Sequence, residues 1–122
     1  SFIFSTALSP VSALQIEYAI TEILGNPGQG QALLRAAETW RQKLPIELDT
    51  LQSKSQIVPV IIGTNKKTLS VATCLQEHGF DVRAIRSPTV PLGTERLRIT
   101  LKSYHQPQDL RRLMDVLVEA TA

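Results

Sequence analysis

Apolar residues recur along the first third of the chain with the period of an α-helix. Their spacing predicts a helix over residues 10–24, with Ser9 as its N-cap, and a second helix over residues 31–44 that Pro45 ends. Residues 25–30 are rich in glycine and predict a turn. This run follows a helix and lacks the Lys-Ser/Thr ending of a phosphate-binding P-loop.

The remaining two thirds of the chain alternate between β-branched runs and helical periods. They predict a strand over residues 57–62, a helix between Thr64 and Gly79, strands over residues 80–86 and 96–101, and a helix that begins at Pro107. Pro59 cannot donate to a ladder, so its strand should lie at a sheet edge or leave that amide position unpaired. Together the elements predict an α/β fold (an α+β-like small domain), in which helices pack on one face of a three-stranded sheet.

A stiff polar loop leads directly into the last strand. Pro88 and Pro91 restrict the backbone on their N-terminal sides, and Gly93 favours a turn. The strand that follows alternates between aliphatic residues, which predict a packed face, and the outward residues Arg96 and Arg98. We therefore expect this face to hold an anion such as a carboxylate or phosphate.

Composition and charge narrow the classes of function. The 122 residues carry 13 basic and 11 acidic side chains, and the basic ones are scattered, which does not favour a nucleic-acid partner. No apolar run is long enough to predict a membrane helix. The single cysteine excludes an internal disulfide and is typical of a cytoplasmic protein. The two histidines, His78 and His105, are far apart and have no metal-ligand spacing.

Residues 1–8 predict that this sequence is part of a longer polypeptide. They have no initiator methionine and no positively charged lead of a signal peptide. Their large apolar side chains would be a poor free end for an independent domain: Phe2, Ile3, Phe4 and Leu8.

Three segments resemble, in the right order, the motifs of the α-oxoamine synthases, pyridoxal-phosphate enzymes of fold-type I. Residues 2–10 resemble FIFSTALPP, residues 56–63 resemble QIVPVIIG, and residues 79–100 resemble GFDVRAIRPPTVPxGTxRLRIT. The resemblance implies the C-terminal portion of such an enzyme. Residues 1–30 would then be a segment and helix leading from a missing large domain, and residues 31–122 would be the C-terminal small domain.

Within this family, the segment is most similar to the members that serve biotin biosynthesis. The similarity implies a pyridoxal-phosphate-dependent acyltransferase that condenses L-alanine with pimeloyl-CoA or a pimeloyl-carrier-protein thioester, releasing carbon dioxide and the thiol. It also implies a cytoplasmic homodimer without a nucleic-acid or membrane partner. The alternatives are another family member, such as a 5-aminolevulinate synthase or glycine C-acetyltransferase, or a non-catalytic anion-binding module.

The resemblance also assigns roles to individual residues. Arg98 matches the arginine that grips the amino-acid carboxylate, and Thr89 matches a loop threonine near the substrate pocket. Thr6 and Ser5 match hydroxyl residues that reach the pyridoxal phosphate group from the neighbouring subunit. The family's Schiff-base lysine lies upstream, and no lysine here has its glycine-rich context. The resemblance thus implies that this chain has no catalytic residue, binds no cofactor alone and is inactive alone.

Overall fold

A computed structural model of the chain describes residues 9–122. The elements in chain order are the helices and strands α1 (Pro10–Gly25), α2 (Gln29–Gln42), β1 (Ile57–Ile61), α3 (Asn65–Glu77), β2 (Arg83–Ile85), β3 (Arg96–Thr100) and α4 (Pro107–Thr121). The chain forms two compact units with a boundary after Gly30. The family roles assigned above to these two parts stay a prediction.

In the first unit, the structure describes α1 and its flanking residues. The Ser9 hydroxyl accepts a hydrogen bond from the Ser12 N–H at 3.1 Å, and Pro10 occupies the first helical turn, as the sequence predicts. The helix buries none of its side chains. Its exposed large apolar residues are Val11, Leu14, Ile16, Tyr18, Ile20, Ile23 and Leu24.

In the second unit, one antiparallel sheet of three strands organises the packing. The strand order is β1-β3-β2, so the last strand in sequence lies in the centre and pairs with both others. Pro59 faces Arg98 within the register of β1 and β3. Because β1 is an edge strand, the missing N–H of Pro59 interrupts no second ladder, and the predicted edge position is confirmed.

The helices of the second unit pack on one face of this sheet, which confirms the predicted fold class. Alternate residues of β3, Leu97 and Ile99, lie opposite Val60 and Val58 and are at most 2% exposed. The helices complete the core with the buried side chains Ala37, Trp40, Val71, Ala72, Leu75, Leu113 and Leu117.

Trp40 joins α2 to α4. Its indole is 4% exposed, and the Nε1–H donates to the carbonyl oxygen of Leu110 at 2.8 Å. Trp40 therefore acts as a packing anchor between the two helices. This hydrogen bond satisfies the indole N–H, which would otherwise be buried without an acceptor.

Two predicted elements differ from the structure by two or more residues at an end, namely the second helix and β2. β2 covers Arg83–Ile85 and not residues 80–86, because the preceding backbone bonds locally: the Phe80 N–H donates to Leu75 and the Gln76 amide donates to the Val82 carbonyl. The second helix begins at Gln29, within the predicted turn, and ends at Gln42. Its last backbone bonds, such as that of the Leu44 N–H to Arg41, span three residues instead of four.

We expect Trp40→Phe to lower the free energy of unfolding by about 1–3 kcal/mol, because the Leu110 carbonyl loses its partner in a half-buried site. Urea unfolding followed by circular dichroism measures this change. Tyr104→Phe is the control: its side chain is 68% exposed, so its effect should stay within about 0.5 kcal/mol. Equal effects of the two substitutions would contradict an anchoring role for the indole.

Candidate functional site

The face of the sheet opposite the core combines guanidinium groups with aliphatic side chains. Directly opposed residues in an antiparallel pair share a face. Arg98 therefore shares this face with Pro59 on one side and Arg83 on the other, and Arg96 shares it with Ile61 and Ile85. The predicted alternation along β3 is confirmed, since the intervening residues are buried and Arg98 is exposed.

The two arginines of β3 differ in what holds them. Arg96 is half-buried, and its Nε–H donates to the Thr94 carbonyl at 3.0 Å, which ties the side chain to the preceding loop. Arg98 is exposed, and its guanidinium has no hydrogen bond or ion pair within residues 9–122. Arg98 is thus the arginine whose donors are available to a ligand.

The loop before β3 is held at both ends. At its start, the Ser87 N–H donates to the Asn65 Oδ1 at 3.2 Å, which fastens it to the first turn of α3. At its end, Gly93 has φ +88, as the predicted turn requires, and its N–H donates to Glu95 Oε2 at 2.9 Å. Thr89 is exposed on this loop. The loop therefore delivers the chain into β3 in a defined conformation.

Glu95 is a structural determinant that the sequence analysis missed. It is 0% exposed, and its backbone carbonyl accepts from the N–H groups of Ile62 and Gly63 at 2.8 and 3.1 Å. Its Oε2 accepts from Gly93, and its Oε1 is buried without a hydrogen-bond partner among the described atoms. The signal was available: position 95 has the same strand parity as the buried residues Leu97 and Ile99, so its side chain turns inward.

A groove of about 600 Å³ runs between the sheet and the start of α4. Arg83 and Arg98 contribute to its wall from neighbouring strands. Its further polar lining includes Asp81, Lys102 and Arg112, and apolar side chains complete it. Thr89 does not line this groove, so the structure does not bring it together with Arg98 there. Ser5 and Thr6 lie outside the described residues.

The described side chains suit anion binding better than covalent chemistry. A guanidinium offers a planar fork of donors that matches a carboxylate. The lysines in the described part of the chain are all exposed, namely Lys43, Lys54, Lys66, Lys67 and Lys102. Of these described lysines, Lys102 is the one that lines the groove.

The described residues offer no candidate for a metal site or a membrane-spanning helix. Residues 9–122 contain no group of three or more His, Cys, Asp or Glu side chains placed to hold a metal ion. Over the same range, no helix has the length and apolar character needed to cross a membrane.

Comparison with curated proteins identifies relatives over nearly the whole chain. An 8-amino-7-oxononanoate synthase of Pseudescherichia vulneris is 41% identical over 97% of this chain. That of Yersinia pestis (strain Pestoides F) is 40% identical over 94%. The chain spans only about 31% and 30% of these relatives' lengths. No family model matches the chain.

Solved structures give an independent comparison of the fold. A serine palmitoyltransferase from Sphingomonas wittichii superimposes with a TM-score of 0.79, at 22% identity, over 96% of this chain and 30% of its own. A serine palmitoyltransferase variant from S. paucimobilis, with a bound PLP-myriocin aldimine, gives a TM-score of 0.76 at 22% identity and the same coverage. These structures share the fold. With the curated relatives, they confirm the resemblance to α-oxoamine synthases that the sequence motifs indicate.

We expect Glu95→Ala to destabilise the protein by about 1–3 kcal/mol, because the Gly93 N–H loses its acceptor and a buried volume is left empty. Glu95→Gln keeps an acceptor of the same shape and should destabilise less. Thermal unfolding of the two variants measures the order. Glu119→Ala, at an exposed position of α4, is the control. A larger loss of stability in Glu95→Gln than in Glu95→Ala would contradict the proposed role of the Gly93 hydrogen bond.

Proposed function

We propose that the chain is the C-terminal portion of an 8-amino-7-oxononanoate synthase, which condenses L-alanine with a pimeloyl thioester in biotin biosynthesis. The observation that carries this proposal is the 40–41% identity to enzymes of that name over 94–97% of the chain. The thioester would be pimeloyl-CoA or pimeloyl-carrier protein. The complete enzyme would be a cytoplasmic, pyridoxal-phosphate-dependent acyltransferase.

Arg98 would bind the carboxylate of alanine. Its exposed guanidinium, without a partner in the described chain, has the donors for a two-point contact. A two-point contact holds the carboxylate of alanine in one orientation. It thereby determines which bond at Cα faces the cofactor. Its backbone is held by ladders on both sides, so the arginine starts from a rigid base. Pyridoxal phosphate, when bound, supplies the electron sink for the carbanion that decarboxylation leaves.

The other proposed contacts lie outside the groove that contains Arg98. Thr6 and Ser5 would hydrogen-bond the phosphate group of pyridoxal phosphate in the neighbouring subunit, and Thr89 would line the substrate pocket. The Schiff-base lysine would come from the large domain of the complete enzyme. We therefore propose that this chain contributes to substrate binding and provides no catalytic residue.

Helix α1 supports a partner surface in the complete enzyme. Its large apolar side chains are exposed, with Leu24 at 75% and Tyr18 at 68%. Continuous apolar surface of this kind is typical of regions that another domain or subunit covers. We propose that the missing large domain and the second subunit of a homodimer provide this cover.

One observation favours a second candidate function, a non-catalytic anion-binding module. The groove that contains Arg83 and Arg98 is built entirely from residues 79–113 and needs no other domain to form its described walls. Such a module would bind small carboxylates or phosphates without pyridoxal phosphate. The remaining family alternatives, 5-aminolevulinate synthase and glycine C-acetyltransferase, differ from the main proposal in the amino acid and acyl thioester used.

For the complete enzyme, we expect Arg98→Ala to lower kcat/KM for L-alanine by at least about tenfold, since one charge-assisted contact is lost. Steady-state kinetics at saturating pimeloyl thioester measure this change. Arg96→Gln is the matched control on the same strand, because Arg96 is already engaged by Thr94, and it should retain most of the activity. Unchanged alanine kinetics in Arg98→Ala would refute the carboxylate role.

The isolated chain provides a separate test. Mixed with pyridoxal phosphate, residues 1–122 should show neither a lysine-dependent absorbance band nor turnover of alanine and pimeloyl-CoA, because none of the chain's lysines has the required sequence context. The complete reading frame should encode a lysine in a glycine-rich context upstream. Absence of that lysine would reject the enzyme and favour the anion-binding module.

A further inference from the structure

Arg83 and Arg98 lie directly opposite each other on β2 and β3. Their Cβ atoms are expected to be about 5 Å apart on the same face, and like charges at such positions destabilise a sheet. The pair occupies the face opposite the core and lines the groove described above. A ligand with negative charge would relieve this repulsion.

Asp81 only partly neutralises the pair. Its Oδ1 lies 3.2 Å from the Arg83 Nε, and the two side chains are 78% and 72% exposed. An ion pair this open to water contributes little. Within residues 9–122 the two terminal guanidinium nitrogens of Arg83 have no ion pair or hydrogen bond, so they remain available to a ligand carboxylate.

The two other basic residues of the groove have contacts of their own. The Lys102 Nζ lies 6.0 Å from the centre of the Tyr104 ring. Arg112 donates to the His78 carbonyl at 2.6 Å and lies over the Phe80 ring. Of these groove cations, Arg83 is the one that lies directly opposite Arg98 on the neighbouring strand.

The rest of the groove is suited to an aliphatic chain. The apolar residues Ile85, Leu110 and Leu113 are part of its lining. Its volume of about 600 Å³ falls within the usual range for small-molecule sites, about 300–1,000 Å³. The lining thus combines apolar residues with two arginines, and this combination suits a ligand with a hydrocarbon chain and two carboxylates.

We propose that Arg83 binds the terminal carboxylate of the acyl chain, and thereby selects a dicarboxylic acyl thioester over a monocarboxylic one. This inference rests on the proposed function, in which Arg98 holds the carboxylate of alanine. The reaction joins the acyl carbon to the Cα that bears this carboxylate. The acyl chain thus starts beside Arg98, and a flexible seven-carbon chain lying in the groove can return its far carboxylate to the neighbouring strand.

The test compares two thioesters of equal chain length in the complete enzyme. Pimeloyl-CoA has the terminal carboxylate, and heptanoyl-CoA ends in a methyl group. The substitution Arg83→Gln should lower kcat/KM for pimeloyl-CoA by roughly tenfold or more. It should change kcat/KM for heptanoyl-CoA by less than about twofold. Arg83→Lys, which keeps the charge, should recover part of the loss.

Arg111→Gln is the matched control, because Arg111 is exposed on α4 and does not line the groove. It should leave the ratio of the two kcat/KM values unchanged. Calorimetric titration of each variant with both thioesters gives a second readout that is independent of turnover. Thermal unfolding verifies that each variant is folded.

The outcomes separate the two proposals. If the unsubstituted enzyme converts neither thioester with alanine, the proposed function fails and the role of Arg83 falls with it. A second outcome is that the unsubstituted enzyme is active while Arg83→Gln lowers kcat/KM for both thioesters equally, or for neither of them. In that case only the selection by Arg83 is overturned. A loss confined to pimeloyl-CoA, in both kinetics and binding, supports it.

Discussion

The pairing of β3 on both of its edges is the constraint on which the second unit depends. Although β3 is the last strand in sequence, it lies between β1 and β2, and its alternate side chains Leu97 and Ile99 are buried in the core. A strand held in this way cannot slip by one residue without turning its aliphatic side chains to solvent and its arginines into the core. Burial of one face therefore places Arg98 on the opposite, exposed face of the sheet.

The segment before β3 turns this constraint into a defined site. Glu95 continues the inward parity of the strand, and its carboxylate holds the N–H of Gly93 while its carbonyl receives two N–H groups from the end of β1. A buried carboxylate with one unpaired oxygen is costly. The hydrogen bonds of Glu95 nevertheless fix the conformation of this loop, which leads directly into Arg96 and Arg98.

The same face accumulates positive charge that the described chain does not balance. Arg98 is without a partner, Arg83 has an exposed ion pair, and Arg96 is engaged by a backbone carbonyl. Like charges at directly facing positions destabilise a sheet. A carboxylate ligand between Arg83 and Arg98 would offset the repulsion between these facing arginines. The fold is linked in this way to the substrate binding proposed for the enzyme.

The sequence by itself determined the local elements and the parity of β3. Helical spacing, Ser9 as a cap and the alternation after Gly93 depend on neighbouring residues, so they could be predicted without tertiary information. The motifs, which extend over many residues, also determined the family resemblance. Tertiary structure decided the rest. It placed β3 in the centre, shortened β2 through bonds from α3, and brought Arg83 opposite Arg98. Strand order and facing pairs arise from contacts between residues distant in sequence, and local periodicity contains no information about them.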